Sequence, residues 1–311
     1  MEPISEAHTR VVGHILGQRK LSTQTMQPVG QQTKYTDLFD VDCNLTHLVL
    51  RPSLDDILDS ARKSGLSRLV SPGSCLEDSV LTIELCETIR NAGNFEAWGT
   101  VGVHPYNALV EDERVGSMES AKTIMKECAR EAVAIGECGL DYSEGFPDKE
   151  TQIKWFEPQV ALACELNKPL FLHERLAHAD FMNILGKYRA NLPPSLVHCF
   201  TGNASELQTY LDHGFMISIS GLICREKAGA PLRDAISRVG IPLDRVMVET
   251  DAPYLGFPGC NPSLKRSSVF PNLPSALPQV VDKLAEIMNI DAQVLAQATT
   301  RNALRFFRLV A

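Results

Sequence analysis

The chain is built on a repeat that leaves few folds open to it. Short apolar, strand-like runs alternate with helical stretches along nearly its whole length. The runs fall at 38–43 (LFDVDC), 67–72, 96–103, 132–137, 169–173, 195–199, 215–219 and 245–250. Between them, helices are expected near 53–63, 76–91, 117–130, 149–166, 176–187, 204–213 and 230–239, with two more at 275–289 and 292–307. Leu277, Val280, Val281 and Leu284 carry the spacing of an apolar helix face. Gly65, Gly93 and Gly214 fall just before strand runs, where helices should stop. Eight runs alternating with helices predict an α/β fold, a (β/α)8 TIM barrel with C-terminal helices. The competitor is a doubly wound open sheet, but no glycine-rich dinucleotide loop follows an early run.

Four of these runs end in residues that bind metals. Glu137 lies in AIGECGLDY, His173 in PLFLHER, His198 in SLVHCFTG and Asp251 in RVMVETDAPYL. Singly, each has an ordinary reading: a cap, a satisfied buried histidine or a turn former. Together, at the strand ends of one barrel, they form a mixed nitrogen and oxygen set suited to zinc, manganese or magnesium. The first run adds Asp40, Asp42 and Asn44 at the two-residue spacing of one strand face. Asp42 and Asn44 are candidate oxygen ligands, and Asp40 a supporting carboxylate. His104 closes the third run and could bind metal or donate to a phosphoryl oxygen. The expected chemistry is hydrolysis with one or two divalent ions, Glu137 bridging them if there are two and Asp251 accepting the proton of water. Arg175 is a candidate phosphate contact, as are Lys265 and Arg266 in the loop after the eighth run. Solvated surface cations are the equally open alternative for all three.

The formal net charge of -8 argues against non-specific binding of long nucleic acid through surface charge, although not against a local site. Nine cysteines, an odd number without a CxxC pair, read as small buried residues in a reducing compartment, the cytoplasm or nucleus. No apolar stretch approaches membrane-spanning length. Residues 1–36 are polar and lack periodicity, and are expected to be a flexible N-terminal extension before a single barrel domain at 37–311. Arg19 and Lys20 give only weak ground for organelle targeting, and Glu2 and Glu6 count against it. A monomer is expected.

The blocks GVHPY, AIGECGLDY, PLFLHER, LVHCFTGN and VETDAPYL resemble the signature blocks of the TatD family of metal-dependent deoxyribonucleases, in order, from about Phe39 to Phe307. The resemblance implies a metallo-dependent hydrolase barrel that cleaves DNA, often exonucleolytically, with magnesium, manganese or zinc. It carries the family's ligands onto Glu137, His173, His198 and Asp251, and an assisting histidine onto His104. Two departures stand out. The His-x-His pair that many members carry on the first strand is Asp42 and Asn44 here, which alters that side of the metal site. The family's RNEP block reads PNLP at 271–274, without its arginine and glutamate. The expected function is therefore a metal-dependent DNase, a 3′–5′ exonuclease on single-stranded DNA. An ester or amide hydrolase of the same barrel class is one alternative, but it would call for a lysine at a strand end, and Lys168 precedes its run. A non-catalytic nucleic-acid-binding protein with a degenerate metal site is the other.

Overall fold

The computed structural model describes residues 33–93, 95–265 and 268–309. Eight parallel strands form its centre: β1 (Leu38–Asp40), β2 (Leu66–Ser71), β3 (Glu96–Gly99), β4 (Ile135–Asp141), β5 (Leu170–Arg175), β6 (Ser195–Val197), β7 (Met216–Ile219) and β8 (Val246–Val248). Ladder pairing runs β1-β2-β3 and β4-β5-β6-β7-β8. Isolated bridges close both seams. Val101 pairs with Ile135, and Cys43 pairs with Ala252. Backbone hydrogen bonds reinforce them, Gly136 N to Val101 O at 2.7 Å and Asp251 N to Asp42 O at 2.9 Å. The result is the expected (β/α)8 barrel, not an open sheet.

Strand and helix assignments follow the sequence closely, with one addition. Helix Ala108–Val115 lies between β3 and helix Met118–Cys128, where no element was assigned from sequence. It follows a 3-10 turn at Pro105–Asn107, and Gly116 ends it in a left-handed conformation at φ 73°. The compact body starts at Thr33, ahead of the expected boundary at residue 37. Tyr35 is buried and donates from its hydroxyl to Asp282, which also pairs with Lys34 at 2.6 Å. The expectations for residues 1–32, flexibility and targeting included, lie outside the described residues. Among the described residues, no helix is long and apolar enough to cross a membrane. All nine cysteines are free thiols.

The barrel interior is layered by the two-residue period of its strands. Phe171, Leu196, Met216 and Met247 point inward and join a cluster with Phe39, Val41 and Val70. Two residues further along the same faces stand His173, His198, Ser218 and Glu249. The lower layer is therefore apolar and the upper layer polar. The C-terminal helix Ala292–Phe306 seals the lower layer. The ring of Phe307, just beyond it, stacks at 6.1 Å from Phe39 and 6.5 Å from Phe171.

Candidate metal centre

Glu137 organises the upper layer. It was expected at the end of its strand, yet it is the third residue of β4, which continues to Asp141. The β4–β5 register shifts between Ile135 and Cys138. Ile135, Cys138 and Leu140 pack in the outer core, so the irregularity turns Glu137 inward. Gly136 permits this turn. Its φ is 135°, and a Cβ there would lie 2.1 Å from the Phe171 carbonyl oxygen.

One carboxylate oxygen, Oε1 of Glu137, meets three imidazoles. It lies 2.8 Å from His198 Nε2, 3.1 Å from His173 Nδ1 and 3.3 Å from His104 Nε2. The other nitrogens of two of these rings face further carboxylates. His173 Nε2 is 3.1 Å from Asp141 Oδ2, and His198 Nδ1 is 3.0 Å from Asp42 Oδ2 and 3.8 Å from Glu249 Oε1. His198 also lies flat against Phe171, with ring centroids 4.7 Å apart.

Neighbouring side chains hold these groups in place. Two glutamines on helix Lys149–Leu166 grip the backbone beside the centre. Gln152 accepts from Asp141 N at 2.8 Å and donates to Asp141 O at 2.7 Å. Gln159 does the same for Val103, next to His104. Asp40 accepts from Thr250 N at 2.8 Å and from its hydroxyl at 2.5 Å, the supporting role expected for it. Asn44 donates to Asp251 Oδ1 at 3.2 Å and to the Ala252 carbonyl at 3.2 Å.

Electrostatics follow from burial set against pairing. Burial would raise the Glu137 carboxyl, but His104 and His198 overcome it and hold Glu137 well below the usual range. Burial would lower His198, but the charge of Glu137 and the close Asp42 carboxylate hold it well above. His173 is likewise raised against burial by Asp141 and Glu137. His104 is the exception, since burial lowers it despite Glu137. Burial and then the nearby charge of Glu249 push Asp251 up to about 8. Burial raises Asp42 well above its ordinary value.

These residues fit divalent cations. Two groups present ligand atoms within 4.8 Å of one another: His104, Glu137 and His173, and then Asp42, His198 and Glu249. In the second group Asp42 Oδ2, His198 Nδ1 and Glu249 Oε1 are buried without any hydrogen-bond partner. The 3.0 Å approach of the first two is close but not aligned as a hydrogen bond. Leaving three buried polar atoms unpaired is costly, and a shared cation would satisfy all three.

The structure brings together Asp42, His104, Glu137, His173 and His198, all singled out from sequence. Asp251 stands beside both groups rather than in either. The backbone turns there at φ 53°, so its carboxylate faces Asn44 and, at 4.0 Å, Cys199 Sγ. Glu249 takes the place beside His198, and Asp141 the place beside His173. Sequence reasoning missed both. The two-residue period carried the signal, because Asp141 follows Glu137 by two such steps and Glu249 follows Met247 by one. Arg175 ends β5 on the strand face of His173 and is exposed. Lys265 is exposed in the loop after β8, and Arg266 lies outside the described residues. Lys168 donates to the Ala132 carbonyl below the strands, on the side away from the centre.

The sequence profile of the TatD related DNase family matches residues 39–308. The chain belongs to this family. A Pectobacterium parmentieri protein named 3′-5′ ssDNA/RNA exonuclease TatD is 36% identical over 276 residues, covering 88% of this chain and 100% of that protein. Its namesake in Erwinia tasmaniensis is 37% identical over 273 residues, with the same coverage of 88% and 100%. The crystal structure of a TatD family hydrolase from Entamoeba histolytica superposes with a TM-score of 0.76 at 24% identity, covering 88% of this chain and 98% of that one. A TatD homologue from Escherichia coli K12 superposes equally well, at 0.76 and 24%. These two structures bear on the fold. Within the TatD frame, the PNLP segment keeps a structural part. Asn272 is buried, donates its side-chain amide to the Thr250 carbonyl at 2.9 Å and its backbone N–H to the Pro253 carbonyl at 2.8 Å, so it braces the backbone around Asp251.

Proposed function

We propose that this protein is a metal-dependent nuclease that hydrolyses DNA phosphodiester bonds, working 3′–5′ on single-stranded DNA. The observation that carries the reading is the convergence of three imidazoles on Glu137 Oε1, beside three unpartnered buried ligand atoms of Asp42, His198 and Glu249. The names of the bacterial relatives, 3′-5′ ssDNA/RNA exonuclease, support the substrate and polarity.

In this reading Glu137, His173, His198 and Asp42 would hold one or two divalent ions, magnesium, manganese or zinc, with Asp251 at their edge. Such ions would supply Lewis-acid polarisation of the phosphate and a water activated near neutral pH. The protein's own groups do the rest. Asp251, ionised once metal is bound and held in place by Asn44, takes the proton of the attacking water. His104, buried against Glu137, is placed to hydrogen-bond a phosphoryl oxygen as charge develops. Arg175 and Lys265 contact flanking phosphates from the rim. The enzyme acts as a monomer in the cytoplasm or nucleus.

The test is cleavage of 5′-labelled single-stranded DNA in magnesium, manganese and zinc, with and without chelator. Metal-dependent shortening from the 3′ end is expected. Equal activity in wild type and Glu137→Ala would sink the proposed site.

A further inference from the structure

Two sets of exposed aromatic side chains run outward from the centre, and neither serves the core. On one side the ring of His104, itself 4.5 Å from His173, lies 6.1 Å from Phe146, which meets Tyr106 edge-on at 5.5 Å. Tyr106 is 60% exposed. On the other side Tyr254 donates its backbone N–H to the Asp251 carbonyl at 2.7 Å. Its ring meets His47 edge-on at 5.3 Å and lies 6.5 Å from Phe270. Tyr254 and Phe270 are 47% and 48% exposed. One set thus adjoins His104 beyond β3, and the other adjoins Asp251 beyond β8.

The side chains of His173 and Glu137 keep 19% and 10% of their surface exposed, so the centre reaches solvent at the rim. A cavity of about 370 Å³ opens between Ser195 and Phe215 at the N-terminal ends of β6 and β7 and shares no residue with the centre. An extended ligand can thus cross the rim with its phosphate at the carboxylate–histidine cluster. Its neighbouring groups would then meet aromatic faces on both sides. Surface charge does little to hold a polyanion on a chain of net charge -8. Flat, neutral π-systems match these walls, and every nucleobase offers one.

We propose that Tyr106 with Phe146, and Tyr254 with Phe270, are two stacking walls that receive the bases on either side of the scissile phosphodiester. This rests on the nuclease reading and adds to it the basis of single-strand preference. A base must be unpaired and splayed from its neighbour to lie on either wall, and stacking is tolerant of sequence.

The test uses full-length wild type, the double variants Y106A/Y254A and Y106F/Y254F, and two readouts. The first is kcat/KM on a single-stranded oligonucleotide relative to one with abasic sites flanking the 3′-terminal phosphodiester. Wild type should favour the base-bearing strand, Y106F/Y254F should keep that preference, and Y106A/Y254A should lose roughly 5- to 150-fold of it for each wall removed. The second is fluorescence of 2-aminopurine at the 3′ end, bound with calcium as the only divalent ion. Quenching should be strong in wild type and in the phenylalanine variant, and lost in the alanine variant. Cleavage with a base preference unchanged in Y106A/Y254A overturns the stacking walls and leaves the nuclease reading standing. Quenching that the alanine variant loses, without cleavage by wild type, supports the walls and overturns the nuclease reading. Neither cleavage nor quenching in wild type overturns both.

Discussion

Gln159 closes a ring of two hydrogen bonds on the backbone of Val103, accepting from its N–H at 2.8 Å and donating to its carbonyl at 3.1 Å. All of these groups are buried, and the next residue is His104. Gln159→Leu leaves both backbone groups unpaired. The expected loss is about 1–3 kcal/mol in urea unfolding, with kcat lowered more than KM is raised. Unchanged stability would show that Val103 finds other partners.

Asp141 fixes the ring of His173 through a 3.1 Å contact to Nε2, and is itself anchored by Ser143 N at 2.8 Å. Asp141→Asn keeps the shape and removes the charge. Metal affinity or activity should fall about 10- to 100-fold, as for other carboxylates behind ligating histidines. A metal competition titration reads the loss directly, and affinity equal to wild type would refute the assignment.

Metal binding should release protons and strengthen with pH. Asp251 is raised to about 8 by burial and by Glu249, and His198 is raised by Glu137 against burial. A group raised on folding stabilises the metal-free protein below its unfolded pKa, and that stability is lost as pH rises through the folded value. The metal-free protein should therefore lose stability as pH climbs through about 8, whereas the metal-loaded protein should not. The increment in Tm on adding metal is expected to grow with pH. Calorimetry in buffers of differing ionisation enthalpy should show protons leaving at pH 7. An increment that shrinks with pH would contradict the sign.

Phe307 fills the lower barrel between Phe39 and Phe171. Phe307→Ala should destabilise by about 3–5 kcal/mol, measured by denaturant unfolding. His198 rests on Phe171, so metal affinity should weaken as well.

Most of this architecture could be read from residues, and the exceptions have physical causes. The eight runs and their helices were legible because burial imposes a period on them. Glu137 was recognised but misplaced along its strand, because a register irregularity at Gly136 breaks simple alternation. Asp42 and Asn44 were legible as a pair, but their division of labour was not. Asp42 reaches His198, whereas Asn44 ties the two chain segments together through Asp251 and Ala252. Glu249 was hidden by its neighbour Asp251, which looked the better ligand in isolation. Gln152, Gln159 and Asn272 carry no signal of their own, since a buried amide is recognised only by the backbone it meets. Helix Ala108–Val115 escaped because it starts directly from the turn that holds His104.

The plug at the barrel floor has a consequence for how the molecule is made. All eight strands leave the ribosome before Phe306 and Phe307 do. Until those rings arrive, the floor beneath Phe39, Phe171 and Met247 lacks its last partners. A barrel assembled from its strands alone is therefore incompletely packed, and the histidine resting on Phe171 gains its full support only once that helix has docked.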